Sequence, residues 1–104
     1  MYKSGDIVTI TNKTKNYPYY ESWAEKNGMV NFTPYTRGDR GDRGDNEIMD
    51  GMTGKVIVVG PHLEYYDRIL AGIHVNELKR DIIINITALT PLISTHFEDD
   101  LFEI

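Results

Sequence analysis

The chain has 104 residues, 40% of them hydrophobic and 26% charged, a size that builds one modest core rather than two lobes. It contains no cysteine, which excludes a disulfide framework, a thiolate nucleophile and a Cys-ligated zinc. The net charge of −5 is uneven: Glu98, Asp99, Asp100 and Glu103 supply −4 of it, and residues 1–95 are close to neutral. Such a body has little counterion-release drive toward a phosphate backbone, which argues against a broad nucleic-acid-binding face. No apolar run reaches the roughly 18–20 residues that span a bilayer, and MYKSGDIVTI has no apolar signal core. The expected setting is therefore cytoplasmic, without membrane association.

Strand signals dominate along the chain. Gly5-Asp6 is a turn entry, and the β-branched run Ile7-Val8-Thr9-Ile10-Thr11 places Val8 and Ile10 on one face by period two. Residues 12–36 form a long aromatic connection. Inside it, Ser22-Trp23-Ala24-Glu25 reads as a capping box and Asn27-Gly28 as a left-handed stop, which predicts a helical turn over 23–27. Three Arg-Gly-Asp triplets fill 37–45; with no apolar side chain they cannot offset their ordering entropy, and they read as a zwitterionic insert over 36–47. Glycine repeats there with the period of a triple helix, but three triplets without proline cannot hold one.

The second predicted strand is Gly54–Val59, closed by Gly60-Pro61. Its four successive apolar residues call for cover on both faces, which suggests a homo-oligomer if so small a body leaves one of them outside. Ile69–Val75 follows, with Ile69, Ala71, Ile73 and Val75 on one side and Leu70, Gly72 and His74 on the other. Then comes Asp81–Thr87, with Ile82, Ile84 and Ile86 as its core face. Residues 87–92 read as a turn leading into a brief last strand. The whole predicts an all-β fold with minor helix, a small antiparallel barrel of four to five strands over 1–95. An acidic, apolar tail occupies 96–104.

Three segments in this order, GDIVTI, MDGMTGKVIVV and INITALTPL, resemble the SH3-like small barrels. The stretch Gly51-Met52-Thr53-Gly54-Lys55-Val56 is similar to the turn-strand unit of KOW-type domains. The same layout resembles small bacteriophage proteins. The likeness spans about residues 3–93, and its motifs are structural. It implies a rigid scaffold whose loops present binding residues, and a phage-encoded accessory protein as its setting. The long first loop departs from a KOW domain, and the concentrated basic surface of its nucleic-acid-binding members is missing.

No catalytic constellation is legible. His62, His74 and His96 share no motif spacing, and Ser4, Ser22 and Ser94 lie in no nucleophile elbow. The reading is non-enzymatic, with no metal or cofactor implied. The stronger signal is aromatic. Tyr17, Tyr19, Tyr20 and Trp23 crowd the first loop, and Tyr65 and Tyr66 sit between the second and third strands. Rings there either complete a small core or stack on a partner at low entropic cost. In the tail, Phe97 and Leu101 are spaced i, i+4, and with Phe102 they form either a last amphipathic turn or a docking peptide.

The sequence thus points to a module that binds a host protein through Tyr17, Tyr19, Tyr20, Trp23, Tyr65, Tyr66, Phe97, Leu101 and Phe102. Three alternatives stand beside it. One is a KOW-like nucleic-acid-associated module using Lys3, Lys13, Lys15, Lys55, Lys79 and Arg80. Another is a virion joining or decoration protein, and the last a small-molecule binder using His62 and the tyrosines.

Overall fold

A computed structural model describes residues 2–33 and 48–92. The RGD insert and the tail, with Phe97, Leu101 and Phe102, lie outside the described residues. Five strands form one antiparallel sheet: β1 (Ile7–Ile10), β2 (Thr53–Pro61), β3 (Ile69–Val75), β4 (Arg80–Asn85) and β5 (Leu89–Pro91). One short helix, α1 (Glu21–Lys26), lies between β1 and β2. The spatial order is β4-β3-β2-β1-β5, so the expected antiparallel sheet is present as an open ribbon with β4 and β5 at its edges. The outer edge of β4 takes the chain that follows β1: Asn16 bridges Ile84, and the Tyr17 N–H donates to the Ile83 carbonyl at 2.7 Å.

Both faces of the sheet are covered from within the chain. On one face Val8, Ile10, Val56, Ala71, Ile73, Val75, Ile82 and Ile84 form an aliphatic core, joined by Ile48, Ala88 and Leu89. On the other, Leu70 and Ile83 pack with Trp23, Ala24 and Met29 from the first loop, and Tyr17, Tyr20, Ile57, Val58 and Leu63 lean against them. Period-two alternation in β3 and β4 sends odd and even residues to different layers, which is why three consecutive isoleucines of β4 are all buried. Cover of the second face by Trp23 and Met29 supplies from inside the chain what the apolar GKVIVV run suggested a second copy would supply.

Two details make the double layer work. The ladder between β2 and β3 slips between Val56 and Val58, so one residue of β2 is extra. Such a bulge turns two successive side chains the same way. Val56 and Val59 therefore pack on the aliphatic side, while Ile57 and Val58 both meet the loop layer. The second detail is the absence of a side chain at Gly72: a Cβ there would run into the Met29 sulfur, so glycine leaves the space that the Met29 thioether fills on β3.

The helix starts two residues earlier than its predicted 23–27 span, and Ser22 does not cap it. Tyr20 occupies the cap position without a side-chain cap bond, and its carbonyl accepts from the Ala24 N–H at 3.2 Å. Packing decides this over local capping, because the early start turns Trp23 and Ala24 together onto the sheet. The predicted stop holds, with Gly28 at φ +79°. Lys79, a non-glycine residue at φ +54°, closes the turn between β3 and β4.

Candidate ligand groove

The first loop is anchored by its tryptophan. Trp23 is fully buried, and its indole N–H donates to the Pro61 carbonyl at 2.8 Å. Gly60 beside it leaves room for α1, since a Cβ there would lie 2.9 Å from Asn27 Oδ1. Trp23 is thus a core residue that holds the loop to the end of β2, and it presents no face to a partner. The neighbouring tyrosines are placed differently. Tyr17 and Tyr20 are half-buried, Tyr19 is 39% exposed, Tyr65 52% and Tyr66 73%.

His62, directly after β2, gathers these rings. Its imidazole centroid lies 5.0 Å from Tyr20, 5.0 Å from Tyr65 and 5.8 Å from Tyr17. Tyr17 and Tyr20 are themselves 5.7 Å apart. These separations are those of tilted and edge-on aromatic contacts. The Arg68 guanidinium caps the row, 4.5 Å from the centre of the Tyr65 ring. Tyr66 takes no part in the cluster.

Hydrogen bonds fix the histidine ring. Nδ1 accepts the backbone N–H groups of Glu64 at 3.0 Å and Tyr65 at 3.1 Å. An acceptor Nδ1 places the ring proton on Nε2. The Tyr20 hydroxyl lies 3.3 Å from the same nitrogen and accepts the Leu63 N–H at 3.2 Å. One imidazole and one phenol thus satisfy three backbone donors of the 62–65 turn. His62 N–H to the Arg68 carbonyl and Arg68 N–H to the Tyr65 carbonyl, both at 2.8 Å, close the connection to β3.

The two loops enclose a groove of about 450 Å³, lined by Asn16, Tyr17, Pro18, Tyr19, Tyr20, Ser22, His62, Leu63 and Glu64. A second, more polar pocket of about 460 Å³ adjoins it and shares Asn16 and Tyr17. Its remaining walls are Thr14, Lys15, Arg68 and Asn85. At the junction the Asn16 side-chain amide donates to the Lys13 carbonyl at 2.6 Å, while its Oδ1 is buried and accepts nothing.

The other titratable pairing lies away from this groove. His74 Nδ1 sits 2.8 Å from Asp81 Oδ1 across β3 and β4, with the carboxylate nearly buried and the imidazole open to water. Among the described residues no cluster of His, Asp and Glu could hold a metal ion, and no helix is long and apolar enough to cross a membrane.

Of the residues singled out from sequence, the structure brings together Tyr17, Tyr19, Tyr20 and Tyr65. It sends Trp23 inward and leaves Tyr66 outside the cluster. In the sequence His62 belongs only to the small-molecule alternative, yet it organises the groove. The legible signal was its place after Gly60-Pro61, a turn that must fold back beside the aromatic loop. Asn16 and Arg68 carried no such signal. In comparison with known proteins, no family model, curated protein or solved structure matches this chain. The groove itself must carry the functional reading.

Proposed function

We propose that this chain is a protein-binding module, a small sheet scaffold whose two aromatic loops form a recognition groove. The observation that carries the reading is the convergence of Tyr17, Tyr19 and Tyr20 with His62, 42 residues beyond Tyr20, around one open groove, with Tyr65 stacked against the His62 ring. Rings already held by mutual contact and backbone hydrogen bonds lose little freedom on binding, which is what makes tyrosine an effective anchor at an interface. His62 Nδ1 is engaged by two N–H groups, so the imidazole serves to hold the turn. The bulge in β2 and the strap of residues 16–17 along β4 would curl the ribbon toward the small SH3-like barrel expected from the sequence. The phage-accessory setting makes a bacterial host protein the partner to seek.

The test is affinity capture from bacterial lysate with the full chain and with a Tyr19→Ser, Tyr65→Ala variant. Both residues are exposed, so the variant keeps its melting temperature within a few degrees. A specific protein retained by the parent and lost by the folded variant supports the reading. A protein captured equally by both, or none captured by the parent, overturns it.

A further inference from the structure

Resting on that reading, we infer that the groove selects an acidic peptide segment, which seats a large apolar side chain among the tyrosines and a carboxylate beside Lys15 and Arg68. The aromatic groove and the polar pocket share Asn16 and Tyr17 as a common wall, so one extended ligand crossing that wall reaches both. Lys15 and Arg68 line the polar end and form no ion pair among the described residues, whereas Glu64 lines the aromatic end. This polarity fixes the orientation: a ligand carboxylate is attracted at the Lys15 end and repelled at the Glu64 end.

Glu64 on the aromatic end repels a backbone that carries a phosphate at every unit, whereas a peptide is charged only where its side chains are. The near-neutral residues 1–95 also offer no broad basic face to a long polyanion, whereas one local basic site suits a short acidic segment. Peptide is therefore favoured over nucleic acid.

The experiment uses fluorescence anisotropy with the full chain and three labelled short peptides that share alternating phenylalanines. The peptides carry glutamate, glutamine or lysine between the rings, and a labelled oligothymidylate serves as the competing class. The glutamate peptide is expected to bind at least about tenfold more tightly than the glutamine peptide and to weaken with added salt. The preference should disappear in a Lys15→Gln, Arg68→Gln variant, whose substitutions are on the surface and whose fold is checked by circular dichroism.

Equal binding of the glutamate and glutamine peptides overturns the acidic preference and leaves the protein-binding reading standing. Tighter binding of the oligothymidylate overturns it in favour of nucleic acid. If no peptide binds while the lysate still yields a partner dependent on Tyr19 and Tyr65, the acidic-peptide inference alone falls. If that capture is also empty, both fall.

Discussion

The two layers packed on the sheet are built in opposite ways. The aliphatic layer is made almost wholly by strand residues facing one another across ladders, so its neighbours are set by register: Val56 opposite Ile73, Ile73 opposite Ile82, Ala71 opposite Ile84. The loop layer is made by a segment with no ladder of its own, held by one indole, one thioether and the space left at Gly60 and Gly72. Regular pairing gives a layer that tolerates losses in small steps. A layer resting on a few anchors should fail at once when any of them is removed, and it is this layer that carries the groove.

Trp23→Ala should have the largest effect. It removes the main anchor of the loop and leaves the Pro61 carbonyl without its indole donor, at a cost of about 3–5 kcal/mol in denaturant unfolding. If the layers differ as described, hydrogen exchange will show protection lost over residues 17–29 well beyond any loss in β3 and β4. Uniform loss across the sheet would mean that the two layers are one cooperative unit.

Gly72→Ala comes next, at about 1 kcal/mol, because the new methyl displaces the flexible end of the Met29 side chain. Met29→Ala in the same chain should restore part of the loss, a coupling visible only in a double-mutant cycle. Strict additivity of the two would show that Met29 does not sit on Gly72.

Lys79→Gly should stabilise by about 1 kcal/mol, since it relieves a left-handed lysine in the turn that joins two strands of the aliphatic layer. A destabilising result would mean that the lysine side chain contributes more than its backbone strain costs.

The smallest expected effect is alkaline. Burial, and secondarily the charge of Asp6, raise the pKa of the Tyr2 hydroxyl, which donates to the Leu89 carbonyl at 3.0 Å. A folded pKa above the unfolded one means that the neutral phenol is favoured by folding. Its contribution is complete below about pH 10 and is lost as pH rises through the folded value. Stability measured against pH should therefore decline in that range for the parent, and by less for Tyr2→Phe.

The aliphatic layer was legible because β-branched residues at period two can bury only one way. Val8 with Ile10, and Ile82 with Ile84, were assigned to a core face from spacing alone, and the bounds of β3 agree with the expected ones residue for residue. The loop layer was only half legible. Its aromatic content announced a site, but a segment without periodicity gives no sign of which rings turn inward, and Trp23 and Tyr65 look alike in a list of residues. The start of α1 moved because burial of Trp23 and Ala24 outweighed a local capping pattern. The contact of Tyr20 with His62 joins residues 42 apart in sequence, and no local pattern encodes it.

The extra residue in β2 matters beyond the packing it explains. With the alternation shifted midway, one strand can serve two different interiors along its length, so the loops on the second side are free to change while the first side keeps its spacing. A graft of these tyrosine loops onto another sheet would have to bring that offset with it. Deletion of Ile57 should restore plain alternation, with Val56 and Val59 still on the aliphatic side and Val58 alone left to meet the loops, which weakens their hold on an otherwise intact ribbon.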